Sequence, residues 1–550
     1  MPFSLCLLLG ALAAAPRPAA AQPTWLPGAV TARPTAPQLA WEARQVGVMI
    51  TWNLQSACLP PSHANASAQP CQAGGFLPTR ASLSSWAPSV NMTDWLAVSA
   101  SFGARYAVLV VDHFSGFLLW PSATTAGGEA PPSLADTASP TPHDLVSAFA
   151  AAAARQGLAP GYFYSVHDNW WAGVNEFVAG HRRWGSSGAP LSPAAYDALA
   201  AAQLAELLAV AAAAPGGAPT AELWFDAGVN ATLTPSIGAL VARLAPGVAC
   251  HSCAGFDQRP GGGGVGLRWM GNEQAVMPLP NWGAVGAAYT PFGGDPLGAI
   301  YAPASCDTVL SEHNWFNART MAYDKDIRSA CSLASAYLTS VGRGCNLILN
   351  LAPDYLGAVS APARAAYAGL GAAAQCLHAR PLGGGANLTL YSAAGNPSGA
   401  LAWALPAPLP PAPCGAGQQC WSLALQLSER TADSGQRIAA WGVQGCFAGA
   451  GSDCDGGQAQ WVALTGAGTA VPANATVGIG ARRWVRLQHS QAAAPGAALV
   501  ALRVAVASAY PWGGAGGAAP GRADLVLETL EVFDWQGAGA CVPGCALPAY

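Results

Sequence analysis

The sequence predicts an α/β fold: a (β/α)8-type barrel followed by a C-terminal β-sandwich. Three observations predict it. Short apolar runs rich in β-formers alternate with helix-like segments through the first part of the chain, as in a parallel sheet with helical crossovers. Polar residues stand at the carboxyl ends of those runs, where a barrel gathers its chemistry. From about Gly383 helical periodicity stops, Gly and Pro increase, and short alternating strands follow. At 550 residues the chain exceeds what one core usually supports, so two domains are expected.

The barrel runs are Val46–Ile50, Tyr106–Val111, Gly161–Ser165, Glu222–Asp226 and Asn346–Leu351. Helical patterns cover Thr93–Phe102, Asp144–Gln156, Pro193–Ala213 and Asp324–Val341. Thr93 is read as a cap ahead of Asp94, and Ser192 followed by Pro193 is a strong helix start. Thr51, Asp112, His113, Ser165, His167 and Asp226 lie at or just past strand ends. Polar residues often end strands because loops begin there, but several ends facing one way suggest a shared mouth. No GxGxxG or GxxxxGK[ST] follows a strand, and Gly261–Gly264 lacks the Lys that phosphate binding would want. The second region reads as strands at Trp421–Leu427, Gln460–Leu464, Trp484–Gln488 and Leu499–Val504.

Charged residues are only 9% of the chain and the formal net charge is −4, with no basic run interleaved with aromatics. That disfavours nucleic acid as a partner. The 20 Trp residues lean toward carbohydrate, whose clefts use flat aromatic faces, although most will be core. Residues 1–21 read as a secretory signal peptide, with an apolar stretch from Leu5 to Ala15 and small residues Ala19–Ala21. A Pro-rich lead-in spans 22–37. No later segment offers about twenty unbroken apolar residues, so no membrane span is expected. The expected location is secreted or extracellular, or an apoplast- or lysosome-like compartment.

The chain has 15 Cys, of which Cys6 leaves with the signal. Close spacings suit local disulfides at Cys414/Cys420, Cys446/Cys454 and Cys541/Cys545, with Cys331 a buried thiol. Cys250 and Cys253 could suggest zinc ligation, but no second CxxC completes four ligands, so a disulfide or simple packing is preferred and no metal is expected. Glycosylation sequons occur at Asn65, Asn91, Asn387 and Asn474, and at Asn230, which is expected to stay unmodified so near the barrel mouth.

Retaining glycoside hydrolysis needs two carboxyls roughly 5 Å apart, one ionised and one protonated. Among 28 acidic residues, Asp226 closes the run Leu223-Trp-Phe-Asp226, and Glu273 lies in the polar, aromatic loop Arg268-Trp-Met-Gly-Asn-Glu273. Partial burial beside Trp269 would raise the proton affinity of Glu273. Taken singly, a helix cap and a surface acid are about equally good readings.

Several blocks, in order, resemble the α-L-fucosidases of glycoside hydrolase family 29. Ala104–Phe117 with Leu119-Trp-Pro-Ser122 is similar to AKYAVLTAKHHDGFxLWPS, Gly161–Ser165 to GLYYS, and Glu222–Gly228 to ELWFDGG. Arg268–Glu273 is similar to RWVGNE, Pro303–Asp307 with Trp315-Phe316 to PAECD and GWF, and Ser340–Asn350 to SVGRNCNLLLN. In the second region Ser434–Ile438 and Ala481–Arg486 resemble LGQRV and ARRVRL. The resemblance implies that Asp226 is the nucleophile and Glu273 the acid/base, the latter as in the subgroup preferring α-1,3/1,4-linked fucose. It implies sugar contacts from His113, Tyr164 and Trp315, with His167 on the neighbouring loop, and needs no cofactor.

The departures are at sugar-gripping positions. Thr51 stands where the family's first strand ends in His, Phe114 replaces one of the paired histidines, and Ser305 stands where Glu is frequent. The expected organisation is thus a catalytic barrel over 38–380 and a β-sandwich over 381–550, acting on fucosylated glycans. The alternative is a fucoside-binding, weakly active or inactive protein of the same fold.

Overall fold

A computed structural model describes residues 24–57, 80–174, 189–253, 266–286 and 293–379, apart from 142, 217, 313 and 321. Beyond these it describes 381–391, 400–415, 418–429, 436–448, 460–466, 483–492, 498–509 and 525–534, with 541, 542 and 545. The expected signal segment, Asn65, Asn474 and Cys454 lie outside the described residues.

Eight parallel strands form one sheet: β1 (Val46–Ile50), β2 (Tyr106–Asp112), β3 (Ala159–Tyr164), β4 (Glu222–Trp224), β5 (Ala249–His251), β6 (Arg268–Trp269), β7 (Ala304–Thr308) and β8 (Cys345–Leu351). Their spatial order is β5-β4-β3-β2-β1-β8-β7-β6. The two free edges meet through a parallel bridge between Cys250 and Gly266, with Leu267 N donating to Cys250 O at 2.8 Å. The sheet is therefore a nearly closed barrel, the architecture the alternating pattern predicts.

Period-two alternation explains the two layers inside this barrel. Tyr106, Val108, Val110, Phe163, Trp224 and Ile348 form one cluster in its interior. Ala107, Leu109, Val111, Tyr162, Tyr164 and Leu223 join the larger cluster that packs on the surrounding helices. Gly47 is needed where Tyr106 crosses the interior: a Cβ there would sit 2.2 Å from the ring. The amino end is plugged by Trp41, from helix Ala36–Glu42, whose Nε1 donates to Glu222 Oε2 at 2.6 Å. That bond satisfies one oxygen of a fully buried carboxylate that would otherwise be costly. Chemistry is left to the opposite, carboxyl end.

Helix starts follow local chemistry, with two corrections to the expectations from sequence. Ser192 Oγ accepts from Ala195 N ahead of Pro193–Ala213, as expected. Helix Met92–Ser101 is capped by Asn91, whose Oδ1 accepts from Asp94 N at 3.1 Å, so Thr93 lies inside the first turn. The expected helix from Asp324 starts later, at Ala330 after the Ser329 cap, with a separate 3-10 turn at Tyr323–Asp326. Helix Pro193–Ala213 is long and apolar enough to cross a membrane by composition. Yet Tyr196, Leu199, Leu204, Leu207 and Leu208 are buried in the barrel's outer layer.

The C-terminal region forms two antiparallel-rich sheets. One runs Pro381–Tyr391, Leu525–Asp534, Gln418–Glu429, Arg483–Ala492 and Thr465–Gly466, with Ala412–Gly415 beside Gln418–Glu429. The other is built on Ala498–Ala509, flanked by Ile438–Ala448 and Ala400–Leu409. Part of the expected lead-in belongs here, since Thr24–Trp25 pairs in parallel with Ser508 and Ala509.

The disulfides correct one local pairing expected from spacing, Cys541 with Cys545. Cys541 bonds Cys376 and Cys545 bonds Cys331, so the C-terminal segment is tied to two barrel helices rather than to itself. Cys331 is thus no free thiol. Close spacing in sequence misleads here because the chain returns to the barrel at its end. Cys250–Cys253 and Cys306–Cys345 are also bonded, and Cys446 is disulfide-bonded.

Candidate active site

The carboxyl ends of the strands open on a cavity of about 260 Å3. It is lined by carboxyls of Asp226, Glu273 and Asp307, by the His113 imidazole, and by a wall of apolar and aromatic side chains. The strand residues among them are placed by the alternation just described, and the loops after the strands supply the rest. Trp224 faces inward, Phe225 outward into the helix layer, and Asp226 inward again just past β4.

Asp226 is only partly exposed, and burial raises its carboxyl above the ordinary aspartate range. The Ala227 backbone N–H opposes that shift, while Glu273 and Asp168 add to it. Ala227 has φ +57, a left-handed turn that swings the chain away directly after the carboxyl.

Glu273 comes from the loop after β6. Its backbone is left-handed (φ +50), as is that of Ala275 (φ +56). Non-glycine residues in that region cost of order 1 kcal/mol each and need surrounding contacts to persist. Those contacts come from β7: Thr308 Oγ1 donates to Glu273 O at 2.8 Å, and Ala275 N donates to Asp307 O at 3.0 Å. The Glu273 residue itself is exposed at the rim. The expected partial burial beside Trp269 is not found; instead, the Trp269 Nε1 is turned to Asp307 Oδ1, at 2.9 Å.

Asp307 is a site residue that sequence reasoning does not single out. It is buried, and desolvation is the main cause raising its carboxyl to about 7, against the hydrogen bond from Trp269. Its signal in the sequence is its place in the block Pro303–Asp307, and the strand there, Ala304–Thr308, is too short and polar to announce itself.

His113 sits among Phe114, Phe163 and Phe316, with ring centroids 4.2, 5.7 and 5.1 Å away. Burial pushes its imidazole down to about 3, so it is neutral at ordinary pH. Gln55 Nε2 donates to His113 Nδ1 at 2.9 Å, leaving the ring proton on Nε2.

The other expected contacts divide. Trp315 lines the cavity. Tyr164 does not: its hydroxyl donates to Gln203 Oε1 at 2.7 Å, in the barrel-to-helix layer, and the neighbouring Phe163 faces inward in its place. The period-two rule makes adjacent residues opposite-facing, and the motif match points to the wrong one. His167 is outside the lining, with Nδ1 3.1 Å from Asp168 Oδ2, although its charge is felt at Asp226. Thr51 and Phe114 both line the cavity, so two departures from the expected sugar grip sit at the site itself. Ser305 is buried in β7 away from it.

Near the mouth, Asn230 Oδ1 accepts from Leu233 N at 2.8 Å ahead of helix Thr234–Leu244. Asn91 is exposed and spends its side chain on its cap. Asn387 lies within strand Pro381–Tyr391. Among the described residues no group of three His, Cys, Asp or Glu is disposed to hold a metal ion.

Residues 84–234 match the alpha-L-fucosidase family model. An alpha-L-fucosidase 1 candidate of Oryza sativa subsp. japonica is 29% identical over 296 residues, 51% of this chain and 50% of that protein. Alpha-L-fucosidase 1 of Arabidopsis thaliana is 24% identical over 289 residues, covering 49% of each. The chain thus spans about half the length of the curated relatives it matches. Among solved structures, an alpha-L-fucosidase candidate from Bacteroides thetaiotaomicron superposes with a TM-score of 0.64 at 19% identity, over 92% of this chain and 99% of that one. A Ruminococcus gnavus family 29 fucosidase in complex with fucose gives 0.60 at 14% identity, over 93% and 97%. These structures share the fold.

Proposed function

From the match to the alpha-L-fucosidase family model over residues 84–234 and the geometry of the site, we propose that this chain is a retaining exo-α-L-fucosidase. One observation carries the reading: Asp226 and Glu273, which follow two different strands, line a single aromatic-walled cavity at the carboxyl end of the barrel. Separate carboxyls on a sugar-sized pocket are what double displacement requires.

In the first step the Asp226 carboxylate attacks the anomeric carbon. Glu273 gives its proton to the glycosidic oxygen, the C–O bond breaks, and the rest of the glycan leaves as an alcohol. In the second, Glu273 takes a proton from water as that water attacks the anomeric carbon of the ester. Fucose is released with the configuration it had in the glycan, and Asp226 is again a carboxylate. The aromatic wall suits the methyl-bearing, less hydroxylated face of a 6-deoxy sugar, and the neutral His113 Nε2–H supplies a donor. Trp315 forms part of that wall.

The preferred linkage is α-1,3/1,4, on the likeness of Arg268–Glu273 to the subgroup motif. Secretion and modification at Asn65, Asn91, Asn387 and Asn474 belong to the same proposal. A second reading, a fucoside-binding protein with weak turnover, is favoured by Thr51 and Phe114 in the cavity where gripping histidines were expected. Incubation with Lewis-type trisaccharides, 2′-fucosyllactose and an aryl fucoside, with free fucose measured, separates the two. Release from the first group fits the proposal, whereas binding without release from any of them fits the second reading.

A further inference from the structure

Three carboxyls line the cavity, and double displacement uses two of them. The third, Asp307, touches both ends of the loop that carries Glu273. Its Oδ1 accepts from the Trp269 indole at one end of that loop, and its backbone oxygen accepts from Ala275 at the other. Its chain neighbour Thr308 holds the Glu273 carbonyl, and Arg328 Nη1 in turn donates to Thr308 Oγ1 at 2.5 Å. Loop 269–275 is therefore fastened to the end of β7 at three points, two of them on Asp307.

We propose that Asp307 is a positioning residue of the hydrolytic site, holding the Glu273 loop in place through the Trp269 indole at one end and the Ala275 amide at the other. This rests on the hydrolase reading above. Glu273 stands exposed at the rim with a left-handed backbone, so its place depends on the contacts that fasten its loop to β7. The groups facing Asp307 are Glu273 from the loop and Asp226 from the end of β4, both of which push its proton affinity up. Trp269 donates to it, Arg328 donates to Thr308 and Ser332, and neutral His113 lines the same cavity. Burial is the main cause raising the Asp307 carboxyl to about 7, so its wall of the cavity carries little charge below that pH.

Two substitutions separate the roles. Asp307→Asn keeps an oxygen for the Trp269 indole and removes the charge; Asp307→Val removes both. With Asp307→Asn, kcat and KM on an aryl fucoside should stay within about threefold of the wild type, because the indole keeps its acceptor. With Asp307→Val, kcat should fall about 10- to 100-fold at every pH while KM stays within about threefold, as expected for a displaced catalytic group. Hydrogen exchange needs no turnover: amides across 269–275 should be equally protected in wild type and Asp307→Asn and exchange about tenfold faster in Asp307→Val. If wild type released no fucose, the hydrolase reading would fall while this exchange still decided the positioning. Unchanged exchange and kcat in Asp307→Val, or an Asp307→Asn variant as impaired as Asp307→Val, would overturn the proposal.

Discussion

The hydroxyl of Thr51, at the end of β1, donates its only proton to the main-chain oxygen of Trp315. Its lone pair accepts from Asn350 Nδ2 at 2.5 Å, so strands β1 and β8 together hold the segment that walls the cavity. Thr51 lines the pocket yet has no proton left to offer a sugar. At this position the chain uses its polar group for architecture.

Thr51→Val keeps the side-chain shape and deletes that link. Asn350 Nδ2 and the Trp315 oxygen lose a partner in a buried setting, a cost of about 1–3 kcal/mol. We expect a lower melting temperature and a KM for aryl fucoside raised severalfold as the Trp315 wall loosens. Thr51→Ser should restore both. Calorimetry and steady-state kinetics on the three proteins check this, and equal KM values would remove Trp315 from the binding wall.

Asp112 is fully buried at the end of β2, and among the described residues no side chain hydrogen-bonds either of its carboxyl oxygens, the His113 backbone amide being the polar group beside it. Desolvation pushes its carboxyl well above the ordinary range, with a lesser opposing pull from the His113 backbone. A carboxyl whose affinity for protons is raised by folding destabilises the fold as pH rises from its unfolded-state value toward its folded-state one. Stability from this residue is therefore greatest in acid and declines toward neutral pH. Asp112→Asn should leave stability at pH 4 nearly unchanged and increase it at pH 7. Denaturant melts at the two pH values check the sign; a loss at pH 7 would mean that the charged form has a partner.

Neutral His113 should not contribute a limb to the activity profile. Since its imidazole is held at about 3, its ring resonances should stay constant from pH 5 to 8 in a histidine NMR titration. Gln55→Leu removes the bond that fixes the tautomer, and we expect kcat/KM to fall by about fivefold to tenfold, in keeping with loss of about 1 kcal/mol of hydrogen bonding.

Cys376–Cys541 and Cys331–Cys545 close loops with sequence separations of 165 and 214 residues. Loops of this length place each bond near the upper end of the chain-entropy effect, up to about 4–5 kcal/mol. Replacing Cys541 and Cys545 by Ser should lower the melting temperature by many degrees. Mass spectrometry of unreduced peptides checks the pairing itself, with a Cys541–Cys545 link as the contrary finding.

The barrel is legible in the sequence because its strands are apolar runs and its crossovers are Ala-rich helices. Long uniform patterns such as Pro193–Ala213 are readable to the residue. The sandwich strands show by alternation, but their partners do not, since antiparallel pairing depends on contacts distant in sequence. At the site, strand ends and family likeness lead to Asp226, Glu273, His113 and Trp315, all of which line one cavity. Side-chain direction is harder: Tyr164 matches a motif but faces the helices, one position from the residue that faces the pocket. Asp307 escapes notice because burial, not composition, gives a carboxyl its chemistry. The spacing of Cys541 and Cys545 misleads for a related reason, as chain proximity is a poor guide where the terminus folds back.

The central claim is that Asp226 is the nucleophile of a retaining fucosidase. Its most direct test is intact-protein mass spectrometry after incubation with a 2-deoxy-2-fluoro-fucosyl fluoride, which traps the glycosyl ester. The account predicts one added fluorofucosyl group, mapped to the peptide containing Asp226 and absent from Asp226→Ala. Labelling of a different carboxyl, or an Asp226→Ala variant with wild-type release of fucose, would contradict it.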